Sequence, residues 1–552
     1  MNIFPVRLSF YIILFLWPFM RCMGQNTTLS SDLYEKEFPV LRSFKNKQIE
    51  DIKNLREKMI LVPANTEEGA NLWREFLDYV RQGLIVFPLD TYDKDDEEYW
   101  NQTLATLHLC FYVMCDELID REKEAYNNAL VSKNFLYHQF KSRDIRQVTW
   151  EDVRDALDDK EAAIEIRALP EEILILKKNA QAPISIRIDS MTVEQLGSYK
   201  GEDALEISEM YKPDGLLSQL WATLSPAIAD CNRIYLSASN FLCNFNYGAI
   251  PTKNGSTVGE DYDFHYLIST AEIKELKKKK PQRHNYKKAA LFGNITYDVC
   301  EDQMKSYVSK GNDYSTALWE LTRGMDDDTR GKLYPLKHSE QEIESLQNML
   351  SKHSIKTYSF SKERASEAAF KEIIKDSLDI IHLSTHGYML TSMYNGIEGS
   401  KRFTSSFAAS KYATDLLRSG LFLSGSGRAW NGKNPINGIE DGILTSKEIL
   451  EMDFHGVELV VLSACKTGLG NDTNLMGFPL GPQHAFKVKG ANQLLMSLWM
   501  VDDAATSLLM QYFYEGILSG KEARYALQEA QHKLISSGYT DAYYWAGFII
   551  LD

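Results

Sequence analysis

The chain has 552 residues, enough for three or four domains at roughly 150 residues each, so size does not limit core burial. Hydrophobic residues make up 44% and charged residues 25%, with 15 prolines and 32 glycines spread without repeats; collagen-like, low-complexity and wholly disordered chains are excluded. The 61 basic and 76 acidic residues leave a formal net charge of −15, which argues against nucleic acid as a main partner.

The N-terminus reads MNIFPVRLSFYIILFLWPFMRCMGQ, with Arg7 ahead of an apolar run from Leu8 to Met20. That run falls short of the about 20 residues of a relaxed bilayer span and suits a secretory leader ending at Gly24. A signal peptide over residues 1–24 is therefore expected, with export to a periplasm or medium once it is cleaved. A short membrane anchor is the other reading, and Arg21 speaks for it. No stable membrane span is expected elsewhere.

Residues 25–147 read as helical. LYEKEFPVLRSFKNKQIEDIKNLREKMI, NLWREFLDYV and YWNQTLATLHLCFYVMCDELIDREKEAYNNALVSKNFLYHQF space apolar residues three and four apart. No clean period of about 34 residues marks a regular repeat array. From Thr149 onward strands alternate with helices, the pattern of an α/β unit. Strand runs are AAIEIRAL, EILILKK, ISIRIDS, RIYLSA (233–238), KAALFGN (288–294), IKTYSF (355–360), LDIIHLST (378–385), VELVVLSA (457–464), NQLLMSLW (492–499) and WAGFIIL (545–551). Such apolar runs predict a mostly parallel sheet covered on both faces. SEQEIESLQNML spaces Ser339 and Glu342 as a capping box, and DAATSLLMQYFYEGIL and EARYALQEAQHKLI each suit a helix with one buried face. The basic stretch Lys274–Lys288 and the acidic run around Asp327 read as solvated loops.

None of the seven cysteines forms a C-x-x-C pair; His108, Cys110 and Cys115 sit in an apolar stretch that reads as buried helix, and Cys231, Cys243 and Cys300 likewise read as packing residues. No D-x-D-x-D-G loop is present, so neither a metal nor an organic cofactor is expected. Chemistry concentrates in two segments, IIHLSTHGYM and LVVLSACKTGLG. Each delivers a reactive side chain, His386 or Cys465, at the carboxyl end of a predicted strand, where open parallel sheets hold their ligands. Gly387 and Gly468 leave room for close approach of backbone and substrate. A thiol attacks as its thiolate, and an imidazole that takes its proton can later protonate a leaving amine. From residue type and spacing alone, Cys465 reads first as a buried core thiol rather than a nucleophile.

Several segments carry a family resemblance: YPLKHSEQEIESL, THG, FLSGSGRAWN, EDGILTSKEIL, LSACKTGLG, the long SLWMVDDAATSLLMQYFYEGILSGKEARYALQEAQHKL and YYWAGFIILD. Together they resemble the CHAT family of caspase-like clan CD cysteine peptidases, often found behind tetratricopeptide repeats and distantly similar to separases. The resemblance covers residues 148–552 and is strongest from Leu333 on. It implies a caspase-haemoglobinase-like α/β sandwich, with a first, pseudo-caspase half over 148–287 and a catalytic half over 288–552, behind a degenerate repeat-like helical region. His386 would be the general base, Cys465 the nucleophile, and the backbone of Gly387 and Cys465 the oxyanion hole. His382 would be structural. Trp499, Val501 and Asp503 match a separase segment whose acid faces a basic P1 side chain, which implies cleavage after Arg or Lys, with Asp503 and the adjacent Asp502 as the candidate P1-binding acids. Asp502 or Asp503 also suits the cap of the helix that follows. With a basic P1, the Lys274–Lys288 stretch would be a candidate self-cleavage site.

One departure from the family is Gly477, which stands about where a Gly-Glu-Gly segment has its glutamate. The expected function is a cysteine endopeptidase acting on a protein or peptide, with the helical region restraining it or docking a protein partner. A catalytically silent CHAT-fold scaffold and a non-peptidase thiol acyl hydrolase or transferase are the alternatives, because fold does not fix substrate.

Overall fold

The computed structural model describes residues 122–130, 148–168, 171–199, 201, 203–278, 286–305, 333–390, 416–434, 436, 438–463 and 481–552. The leader, most of the helical region, the middle of the basic stretch, the acidic run around Asp327, and Cys465, Gly468 and Gly477 lie outside the described residues. By internal contacts the chain divides into two units, Met1–Ala125 and Tyr126–Asp552. Every element discussed below belongs to the second.

That unit is built on an eleven-stranded sheet of order β3-β2-β1-β4-β5-β14-β13-β12-β8-β6-β7. The strands are β1 Glu161–Ala168, β2 Glu171–Lys177, β3 Ile184–Arg187, β4 Arg233–Ala238, β5 Asp263–Tyr266, β6 Lys288–Ile295, β7 Lys356–Lys362, β8 Ile380–Leu383, β12 Leu459–Leu462, β13 Gln493–Ser497 and β14 Phe548–Leu551. β9 Gly387–Met389, β10 Ser419–Phe422 and β11 Ile443–Thr445 form a separate antiparallel sheet. The large sheet is mostly parallel, as its apolar runs predict; β1–β2, β2–β3 and β13–β14 are the antiparallel neighbours.

Alternation along the central strands shows why these runs are apolar throughout. In β12, Leu459 and Val461 enter one core, while Val460 and Leu462 enter the other. β6 divides likewise, Ala289 and Leu291 on one face and Ala290 and Phe292 on the other. Each strand is therefore buried on both faces. Helices α1 (Ser339–Lys352), α5 (Asp503–Leu518) and α6 (Ala523–Ser536) supply Ile343, Leu346, Leu509, Phe513, Ala526 and Ala530 to one core. The opposite core takes Phe370 of α2 (Glu367–Ile373), Ile449 of α3 (Ser446–Ile449) and Phe486 of α4 (Pro482–Val488). Among the described residues, no helix is long and apolar enough to cross a membrane.

Two expectations are corrected. Ser339 and Glu342 do not form a capping box: the N-cap of α1 is His338, without a side-chain cap. Ser339 Oγ instead accepts the Asn294 N–H at 2.8 Å and faces the Ser384 carbonyl at 3.3 Å, and Glu342 turns toward β8. Both side chains are buried against the sheet and partner strand groups there instead of the first turn of the helix. Cys300, expected to pack, is exposed, unlike the buried Cys231.

Candidate active site

β8 lies between β6 and β12 and is parallel to both. Its pairing sets Leu383 opposite Leu462 of β12 and His382 opposite Val461. His382 lies fully buried under α1 and α5, its Nε2 2.9 Å from Glu342 Oε1 and its Nδ1 3.2 Å from the Tyr514 hydroxyl. Glu342 also accepts a hydrogen bond from Ser384 Oγ at 3.1 Å. Both ring nitrogens of His382 are thus engaged inside the structure.

Past Leu383 the chain leaves the large sheet through Ser384, Thr385 and His386 and enters β9 at Gly387, which pairs with Leu421 of β10. β10 fixes this exit. Thr385 Oγ1 donates to the Phe422 carbonyl, and the Phe422 N–H donates to the His386 carbonyl at 2.9 Å. The Tyr297 hydroxyl lies 3.1 Å from Thr385 Oγ1, and its ring centroid is 5.4 Å from the His386 ring.

The half-buried His386 places Nε2 2.7 Å from the Tyr334 carbonyl oxygen. A carbonyl only accepts, so Nε2 carries the proton and Nδ1 is the basic nitrogen of the neutral ring. Burial pulls the His386 pKa below its usual value, with the Tyr334 carbonyl and the Asp503 charge opposing the shift. The ring is therefore a neutral base at neutral pH.

The two acids after Trp499 divide their work. Asp502 is the N-cap of α5 and accepts the Ala505 N–H at 2.8 Å. Asp503, the first residue of α5, accepts the backbone N–H of His338 at 2.8 Å through Oδ2. Trp499 is buried, with Nε1 on the Tyr543 carbonyl at 3.0 Å. Tyr334 and His338 had no side-chain signature as site residues, because each contributes only main-chain atoms. YPLKHSEQEIESL marked the segment but not that contact.

Glu367, Glu440 and Glu448 bring carboxylate oxygens within 4.8 Å of one another, a spacing that suits a metal. Lys371 Nζ sits among them at 2.6, 2.9 and 3.0 Å. An ammonium therefore already meets the charge of this cluster.

A strand-end histidine in an α/β sandwich, with an S-A-C-K-T-G segment following the neighbouring strand, defines the caspase-like class of fold. The CHAT domain family model matches residues 214–551, and the chain belongs to that family. Human tetratricopeptide repeat protein 28 is 31% identical over 114 residues, 20% of this chain and 4% of that protein. Its mouse counterpart is 32% identical over 112 residues, with the same shares. The chain thus covers only a small part of the length of these relatives. Among solved structures, the Saccharomyces cerevisiae separase–securin complex aligns with 99% of this chain and 42% of that chain, at 10% identity and a TM-score of 0.43. The Arg-specific cysteine proteinase gingipain R aligns with 63% of this chain and 67% of that chain, at 7% identity and a TM-score of 0.33.

Proposed function

We propose that this chain is a cysteine endopeptidase that uses His386 as general base and Cys465 as nucleophile and cleaves after Arg or Lys. The observation that carries this reading is strand register. Leu383 and Leu462 are partners in adjacent parallel strands, and His386 and Cys465 are each the third residue after them. The Tyr334 carbonyl adds support by leaving Nδ1 of His386 as the basic nitrogen.

In the proposed cycle Nδ1 takes the thiol proton of Cys465, and the thiolate attacks the scissile carbonyl carbon. Backbone N–H groups of Gly387 and Cys465 hold the oxyanion. The imidazolium then protonates the leaving amine as the C–N bond breaks. Water, deprotonated by His386, cleaves the thioester and restores the thiol. Asp503 would face the P1 cation, and the helical region would restrain the enzyme or dock a partner. Export would follow cleavage of the leader, which a mature mass beginning at Gln25 would verify.

Turnover of Arg- and Lys-terminated fluorogenic peptides, lost in Cys465→Ala and His386→Ala, is the expected result. Turnover unchanged by Cys465→Ala, or none at all, would overturn the reading. Labelling of Cys465 by a thiol probe without peptide cleavage would assign the dyad to another acyl transfer.

A further inference from the structure

We infer that Asp503 is a positioning residue for His386, acting through the Tyr334–His338 segment that joins the two. The inference rests on the dyad reading above. At one end of this segment the Tyr334 carbonyl accepts the Nε2 proton of His386 at 2.7 Å. At the other end, four residues on, the His338 N–H is held by Asp503 Oδ2 at 2.8 Å. His338 is also the N-cap of α1, and its carbonyl accepts the Glu342 N–H at 2.9 Å. Glu342 and Ser339 in turn bond to His382 and Ser384 of the β8 arm. The segment is thus pinned to the strand that bears His386 on one side and to the start of α5 on the other.

Asp503 is free for this task because Asp502 satisfies the first turn of α5. Without an acceptor at position 503 the His338 end is released. The carbonyl that fixes the imidazole tautomer then loses its placement, and small displacements of a base are costly in rate. The carboxylate charge also favours the imidazolium that forms when Cys465 gives up its proton. Among the described residues, the Tyr334 carbonyl and the Tyr297 ring also lie against the imidazole.

Alkylation of Cys465 in the full chain by iodoacetamide, followed by peptide mass across pH, reads the dyad without any P1 recognition. His338→Pro removes the N–H while keeping the Asp503 charge, Asp503→Ala removes acceptor and charge, and Asp503→Asn keeps an acceptor oxygen. Asp503→Ala and His338→Pro are expected to slow alkylation near neutral pH by about tenfold or more. Asp503→Asn should restore much of the loss and leave the rate profile displaced along the pH axis. Wild-type alkylation rates and pH profiles in both Asp503→Ala and His338→Pro would overturn the inference, including the case in which Asp503→Ala only raises KM for basic peptides. If His386→Ala also alkylates like wild type, the dyad reading fails and this inference fails with it.

Discussion

His382 and Glu342 form a hydrogen-bonded pair at 2.9 Å with side-chain exposures of 0% and 1%. The pair ties β8 to α1 four residues before His386, and Ser384 and Tyr514 complete its polar contacts. Removing one partner leaves the other buried with too few hydrogen bonds. His382→Ala should therefore cost about 3–5 kcal/mol in urea unfolding, the range for a broken buried pair. Tyr514→Phe removes only the Nδ1 contact and should cost about 1–2 kcal/mol. Equal losses in the two variants would contradict this ranking.

The His386 imidazole should titrate below the ordinary value of about 6.5. Burial lowers its pKa, and the Tyr334 carbonyl and Asp503 charge only partly oppose that. A base with a lowered pKa stays neutral to lower pH, so protonation appears only on the acid side of the usual range. NMR titration in Cys465→Ala, where no thiolate couples to the ring, reads this midpoint. Asp503→Asn removes an opposing negative charge and should move the midpoint further down. A midpoint above the ordinary value would refute the assignment of burial as the dominant cause.

The central strands were legible because two-sided burial leaves continuous apolar runs such as LVVL and IIHL. β5 was not: its four residues are DFHY, and Asp263 and His265 face charges from Arg524 and Asp552, hundreds of residues away. β9, β10 and β11 are three or four residues long and exist through pairing with one another, which leaves no periodic signal. The site divides similarly. His386 announced itself by its strand-end motif, and the use of one acid as a helix cap was readable from Asp502 preceding a helical run. The Asp503–His338 and His386–Tyr334 contacts depend on main-chain atoms brought together by the fold. The capping-box spacing at Ser339 misled because a buried helix start finds its partners in the sheet.

The Lys371 cluster should respond asymmetrically to substitution. Lys371 joins α2 to Glu440 in the loop before β11 and to Glu448 of α3. Burial and the nearby Glu448 charge raise the Glu367 pKa well above the ordinary carboxylate value, against the pull of Lys371. Glu367 therefore resists carrying a charge, while the ammonium is needed by the remaining acids. Lys371→Met should cost about 3–5 kcal/mol by stranding buried carboxylates. Glu367→Gln should cost less than about 1 kcal/mol, since the replacement mimics the neutral carboxyl. Thermal unfolding of the two variants checks the order, and a larger loss in Glu367→Gln would reverse the reading.

The seam between β5 and β14 should weaken as pH rises. These strands share the register pair Leu551 and Tyr266, with the Asp552 N–H on the Tyr266 carbonyl at 3.0 Å. Around this narrow junction His265 Nδ1 lies 2.7 Å from Asp552 Oδ2, and Nε2 lies 3.5 Å from Asp263 Oδ1. Arg524 contacts both aspartates, Arg233 holds Asp263 at 2.7 Å, and Gln493 holds Asp552 at 2.7 Å. Burial pulls the His265 pKa down, but Asp263 and Asp552 outweigh it, so the net shift is upward. Both aspartates are shifted down by their cationic partners against the effect of burial. The His265 contribution to stability is fully present below its unfolded pKa of about 6.5 and is lost as pH rises through its raised folded value. The aspartate contributions are present above about 3.9 and are lost as pH falls through their lowered folded values. The seam is therefore strongest between roughly pH 4 and 6.5. His265→Gln should cost about 1–3 kcal/mol at about pH 5.5 and less at about pH 8.5, measured by urea unfolding. An equal cost at both pH values would show that His265 holds the seam without its proton.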